Sequence, residues 1–141
     1  MHLEKQFEVR KARDAAVKVV AQEETLLNLF PDTEVEIVGC RGNRRTLVTH
    51  YTALGKQGTA TFHFTFEKSG DVIFEKVCDG NIWRELRGVV TLAPRGEGTR
   101  VRIETDGRTK AFVPEFAIRG AMQDQIDQMA SALRTCIEDR A

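Results

Sequence analysis

The sequence is poor in the residues that mark several specialised classes of protein. Its 141 residues include three cysteines, three prolines, one tryptophan and one tyrosine. Cys40, Cys78 and Cys136 are odd in number and far apart, so we expect reduced thiols rather than a disulfide framework. The 21 basic and 21 acidic residues cancel, which leaves no global field to attract nucleic acid or an anionic membrane.

Long apolar runs, internal repeats and low-complexity tracts are missing as well. No apolar run approaches the length that spans a membrane, and residues 1–7 lack the apolar core of a signal peptide. The hydrophobic content of 41% and the charged content of 30% are those of an ordinary globular protein. We therefore expect one soluble, cytoplasmic domain over residues 1–141, with no integral membrane segment and no nucleic-acid partner.

What the sequence does contain is a pattern of strands followed by one long helix. Alternating apolar residues predict a first strand over Leu3–Arg10. Two short helices follow, the first capped by Asp14 and the second over Glu23–Phe30. The closing helix spans Pro114 to about Arg140. Its apolar residues recur every three or four positions and form one stripe, which consists of Ile118, Met122, Ile126, Met129, Leu133 and Ile137.

Between these helices the chain, from Val35 to Thr105, predicts consecutive hairpins with one shared apolar face. Glycine-containing turns at 55–58, 69–70, 79–80 and 94–98 set the register of each hairpin. Because a one-residue slip would reverse an entire strand, the agreement of the registers predicts an antiparallel sheet. The predicted pairs include Tyr51 with Phe62, Phe64 with Glu75, Glu75 with Arg84, and Val90 with Ile103.

The opposite face of the predicted sheet is polar and suits solvent. Its residues are His50, His63, Lys76, Trp83, Glu85, Arg87, Arg100, Arg102 and Glu104. His50 and His63 are expected to face each other there, but a zinc site needs at least one further protein ligand, and Lys76 lies beside the pair. We therefore expect no metal.

Two stretches carry a resemblance to a known family. In Leu86–Val101 a strand ends in a glycine-rich turn followed by Gly-Thr-Arg-Val, and Asp106–Pro114 leads into the last helix. Together with the order of elements, they make the chain resemble the START-like superfamily, which is also called SRPBCC or Bet v 1-like and includes polyketide cyclases. The chain differs at Leu29-Phe30-Pro31, where the family often has tryptophan near the proline.

The resemblance implies an α+β helix-grip fold. In this fold a seven-stranded antiparallel sheet wraps around a long C-terminal helix, and two short helices follow strand 1. The inner face predicted here holds more apolar surface than one helix can cover, so we expect a cavity between the sheet and the helix. The residues expected to bind a ligand there are Tyr51, Phe62, Phe64, Glu75, Arg84, Leu86, Ile103, Phe116 and Met122.

Glu75 and Arg84 are the predicted polar pair in this apolar surface. Because buried charges are costly unless they are paired, the pair either orients the polar end of a ligand or forms a cross-strand ion pair near the rim. A bulge at Cys78–Gly80 is a third possibility, and it would turn both residues outward.

Three functions follow from the pattern and the resemblance. The favoured one is binding or transport, without a cofactor, of an apolar or amphipathic small molecule such as a lipid, a quinone or a polyketide-like compound. A cyclase or dehydratase is the alternative, with Glu75 as general base and Arg84 stabilising an enolate. The third is an interaction module of the ribosome-associated or chaperone-activator type, which would use Trp83 and Phe74 on the outer face. None of the three specifies an oligomeric state.

Overall fold

The predicted fold is confirmed by a computed structural model, which describes residues 1–31, 33–53 and 55–141. A seven-stranded antiparallel sheet packs against a long C-terminal helix. No helix in these ranges is both long enough and apolar enough to cross a membrane. The elements in chain order are β1 (His2–Val9), α1 (Arg13–Val20), α2 (Glu23–Leu27), β2 (Glu34–Arg41), β3 (Arg44–Ala53), β4 (Lys56–Phe66), β5 (Val72–Lys76), β6 (Trp83–Arg95), β7 (Gly98–Thr109) and α3 (Glu115–Arg140).

The strand order determines which strands lie beneath the helices. The order is β1-β7-β6-β5-β4-β3-β2, so β1 pairs with the last strand and every other neighbour is a hairpin. The α3 helix lies closest to β1, β7 and α1, and α2 lies against β2. The inner face of β3, β4 and β5 therefore receives less cover from α3 than the inner face of β1 and β7.

The helices follow the predicted pattern with small changes at their ends. Met122, Ile126, Met129, Leu133 and Ile137 are buried along one face of α3 and Ile118 is half-buried, which confirms the apolar stripe. At about 1.5 Å per residue this helix is roughly 40 Å long, which is enough to cross the sheet.

The two short helices differ more from the prediction. Ala12, not Asp14, is the N-cap of α1, and no side chain caps it. Asp14 instead lies in the first turn, where an acidic group favours the positive end of the helix. The second helix stops at Leu27 rather than Phe30.

In two of the predicted strand pairings the side chains point to the face of the sheet that was expected. Val90 pairs with Ile103 as predicted. Tyr51 pairs with Gly58 rather than with Phe62, so this register is wrong by four residues. Because four is an even number, the same side chains still point inward.

The pairing of β4 with β5 is wrong by one residue. Phe64 pairs with Phe74, not with Glu75. A five-residue loop, 67–71, joins the strands instead of the predicted two-residue loop, and the backbone N–H of Glu67 donates to the carbonyl of Asp71 at 2.9 Å. The slip turns Phe74 inward and Glu75 outward.

Candidate functional site

Three aromatic rings lie directly on glycines of the inner sheet face. A Cβ atom added at Gly88 would lie 2.2 Å from Phe74 Cζ, and one added at Gly58 would lie 2.5 Å from Tyr51 Cζ. Such distances are far shorter than any van der Waals contact, so each ring fills the space that a side chain would take. The same holds at Gly107, where the Trp83 ring would be 2.6 Å from an added Cβ. The rings therefore lie low on the sheet, where Phe74 and Trp83 are buried and Tyr51 stays partly exposed.

A chain of phenylalanines continues this aromatic wall across β4 and β5. Phe64 stacks on Phe74 with ring centroids 5.5 Å apart. Phe62 stacks on Phe30, which follows α2, at 5.3 Å. The inward orientation predicted for Phe62 and Phe64 is confirmed by the pairing with β5, and Phe30 is an additional member that covers part of Phe62.

One end of the space between the sheet and α3 is closed. The cavity there has a volume of about 10 Å³, which is room for roughly one water molecule. Its lining is apolar apart from Thr25 and consists of Val20, Thr25, Leu26, Leu29, Phe64, Phe66, Val72, Val90, Met129 and Leu133. The expected large cavity is not found at this end, because helix and sheet side chains meet there directly.

The other end is open. Tyr51 points inward yet is 43% exposed, and Phe62 is half-buried. In the first two turns of α3, Ile118 is half-buried and a Cβ added at the exposed Gly120 would have no neighbour within 4 Å. We use the name cleft for the partly exposed inner face at Tyr51, Phe62 and Lys76 together with the start of α3 at Ile118 and Met122.

Lys76 belongs to the cleft although the sequence placed it on the outer face. It pairs with Phe62, and its side chain shares the inward direction of Phe74. Its Nζ donates to the carbonyl of Val77 at 3.3 Å. The correction follows from the same one-residue slip that turned Glu75 outward.

The predicted facing of Glu75 and Arg84 is wrong. Glu75 pairs with Arg87 on β6 and with His63 on β4, and both Glu75 and Arg84 are exposed. Glu75 therefore lies on the outer face of the sheet, and Arg84 falls in the bulge between Trp83 and Glu85, where it has no partner in the register. The β5–β6 register differs from the predicted one by three residues, an odd number, so the pair could not remain on the inner face.

Trp83 and Phe74 were expected on the outer face, and this expectation is also wrong. Phe74 is 5% exposed and Trp83 is 9% exposed. A bulge between Trp83 and Glu85 reverses the direction of the tryptophan, because an extra residue in one strand flips the alternation.

The predicted histidine pair is not formed. His50 pairs with Thr59, and His63 pairs with Thr46. The ring of His50 is 2.8 Å from a carboxylate oxygen of Glu36, so each imidazole has its own separate partner.

A group of potential metal ligands lies elsewhere, at the exposed surface of β1 and β7. Ligand atoms of His2, Glu4 and Glu104 lie within 4.8 Å of one another. Arg102 pairs with both glutamates and lowers the pKa of Glu4 by its hydrogen bond. A hydrogen bond to Asp106 raises the pKa of His2. These side chains neutralise one another on an exposed face, which is the ordinary arrangement of a solvated sheet surface.

The outer face also has an open depression beside the β4–β5 loop. Its apolar lining residues are Ile73 and Val89, and Lys68 and Asp71 are among the polar ones. Its volume is about 510 Å³ and it is open to solvent.

The predicted ligand-binding residues therefore separate into three groups. Tyr51, Phe62 and Met122 lie at the cleft. Phe64, Leu86 and Ile103 are buried in the core, with exposures of 1%, 6% and 0%. Phe116 is 84% exposed at the start of α3, Glu75 lies on the outer face, and Arg84 is exposed in the bulge of β6.

Sequence reasoning missed Lys76, Phe30 and the three glycines that carry rings. A signal for the glycines was present, because Gly88 falls at an inward position of a strand otherwise rich in large apolar residues. Glycine in a strand interior often marks a close approach of another group. The inward turn of Trp83 had no comparable signal.

Comparisons with known proteins agree on the fold. A START superfamily protein from Mycobacterium smegmatis has 16% identity and a TM-score of 0.77, with 99% of each chain covered. An aromatase/cyclase from Streptomyces has 16% identity and a TM-score of 0.76, with 99% of this chain and 92% of that chain covered. A STAR-related lipid transfer protein from Xanthomonas axonopodis has 18% identity and a TM-score of 0.68, with 96% and 85% covered.

Neither a protein-family model nor a curated protein sequence matches the chain. The similarity in structure extends over nearly the whole chain at low sequence identity, and it shows that the chain has the START-like helix-grip fold. The same fold carries several unrelated functions, so the fold alone does not identify the function of this protein.

Proposed function

We propose that this protein binds an apolar or amphipathic small molecule in the cleft. The proposal depends on the contrast between the two ends of the inner face. The closed end leaves a cavity of about 10 Å³, whereas at the open end Tyr51 and Phe62 remain partly exposed beneath α3. Covering this surface supplies about 25 cal/mol per Å² before the costs of binding are subtracted.

The shape of the wall favours a ligand with flat or extended apolar parts. Tyr51 lies on Gly58 and is 43% exposed, so its ring presents a broad, low surface. Aromatic faces of this kind stack well on other rings and on hydrocarbon chains. Similar structures described as an aromatase/cyclase and as a lipid transfer protein support a ligand class that includes lipids, quinones and polyketide-like compounds.

Binding is favoured over the catalytic alternative by the position of the residues that catalysis was expected to use. Glu75, the expected general base, lies on the outer face, and Arg84 is exposed in the bulge of β6. A general base must come within hydrogen-bond reach of its substrate, and Glu75 points away from a ligand in the cleft. The interaction-module alternative relied on Trp83 and Phe74, and both are buried.

Fluorescence titration with the neutral probe N-phenyl-1-naphthylamine tests the proposal. We expect saturable enhancement with the native protein and, for Ile118→Asn, affinity about threefold to tenfold weaker, because apolar contact with the probe is lost. Ala121→Asn is the matched control, since Ala121 is exposed on the same helix, and it should leave the affinity unchanged.

Native mass spectrometry of gently purified protein provides an independent measurement. The proposal predicts an adduct whose mass corresponds to an apolar small molecule, released by organic solvent. Protein that carries no adduct and also gives no saturable enhancement with the probe would overturn it.

A further inference from the structure

The charged side chains on the inner face of the sheet all have one sign. The strand registers place four basic residues on this face, which are Lys5, Arg45, Lys56 and Lys76. Among the inward positions of the described residues there is no aspartate, glutamate or histidine. Any negative charge that pairs with these cations must therefore come from above the sheet.

The helices supply such a charge to Lys5 and Arg45. The Nζ of Lys5 lies 3.6 Å from a carboxylate oxygen of Asp127 on α3. The Nε of Arg45 lies 3.8 Å from a carboxylate oxygen of Glu23 on α2. Each cation thus has its counter-charge on the helix that lies over it.

Lys76 has no such partner, and it lies at the cleft across from Phe62. Its only hydrogen bond among the described residues goes to the carbonyl of Val77. No carboxylate in the described part of the chain lies within 4.0 Å of its Nζ. The preceding Glu75 points to the opposite face of the sheet.

The surroundings of Lys76 strengthen any contact with an anion. The side chain is half-buried and lies across from Phe62, whose ring stacks on Phe30. Partial removal from water raises the strength of a charge–charge contact, and an ammonium group prefers a charged acceptor to a carbonyl.

We propose that Lys76 binds the carboxylate of an amphipathic ligand whose apolar part lies on Phe62 and Tyr51 beneath α3. This inference rests on the proposed function and adds the class of ligand, a monocarboxylate with an apolar body. The ligand carboxylate takes the place that Asp127 takes at Lys5 and Glu23 takes at Arg45.

Competition between two matched ligands tests this inference. Dodecanoate and dodecanamide have the same chain and differ in charge, and each is titrated below its micellar concentration against the bound neutral probe. We expect dodecanoate to bind about tenfold more tightly to the native protein, the difference expected of a charge-assisted hydrogen bond. Lys76→Met should remove this preference without weakening dodecanamide, and Lys76→Arg should keep it.

Lys68→Met is the control for a general loss of positive charge, because Lys68 is exposed in the β4–β5 loop, and it should keep the native preference. Thermal unfolding of each variant confirms that the compared proteins are folded. Equal affinity of the native protein for the two ligands, or a carboxylate preference that survives in Lys76→Met, would overturn the role of Lys76. Failure of both the probe and dodecanamide to bind would instead overturn the proposed function itself.

Discussion

At the scale of single residues, the glycines beneath aromatic rings determine how low the inner wall of the sheet lies. Phe74 lies flat on Gly88, its cross-strand partner, and both are buried. A larger residue at this position would push the ring away from the sheet. The absence of a side chain is therefore what keeps the inner wall low.

Gly88→Ala is expected to destabilise the protein, because the new Cβ would lie 2.2 Å from Phe74 Cζ and the buried ring has little freedom to move. Overpacking of this kind lowers the free energy of unfolding by about 1–3 kcal/mol, which urea denaturation measures. Gly80→Ala is the control, since Gly80 is exposed and an added Cβ meets nothing within 4 Å. Equal stability of the two variants would contradict the described packing of Phe74.

At the scale of elements, β5 shows which features of the sheet the sequence could predict. Its apolar residues fall on both faces, with Val72 and Phe74 on one side and Ile73 on the other. The alternation of apolar residues therefore fits the predicted and the observed register of β5 equally well. A two-residue loop and a five-residue loop also both contain Gly70, so the glycine does not distinguish them. The structure adopts the longer loop, and the assignment of Glu75 to the inner face fails for this reason.

Paired alanine substitutions test the orientation of β5. Phe74→Ala should lower the free energy of unfolding by about 3–5 kcal/mol, as expected for a buried aromatic ring. Glu75→Ala should change it by less than about 0.5 kcal/mol, since the residue is exposed. Chemical denaturation of both variants decides between the registers, and the reverse order of effects would restore the register with Glu75 inside.

Other elements could be predicted because their patterns are one-sided. In β6 and β7 the large apolar residues Val90, Leu92, Val101 and Ile103 all fall on one face, so only one register buries them. The stripe of α3 has the same property, and its buried positions were predicted correctly. The bulge at Trp83 has no such signal in the sequence, because a single inserted residue changes the direction of a side chain without changing the composition of the strand.

At the scale of the whole molecule, the space between sheet and helix is unequal at its two ends. A surplus of apolar area on the sheet indicated a cavity, but area alone does not say where the layers separate. Phe30 covers part of Phe62, and Met129 and Leu133 close the far end. What remains is a cleft at the start of α3, with Lys76 as its cation.

The most direct test of this account is a set of intermolecular NOEs between N-phenyl-1-naphthylamine and the protein. We expect contacts from the aromatic protons of the probe to the methyl groups of Ile118 and Met122, because these side chains form the helical wall of the cleft. Contacts to the methyl groups of Ile73 and Val89 instead, which line the depression on the outer face, would contradict the account.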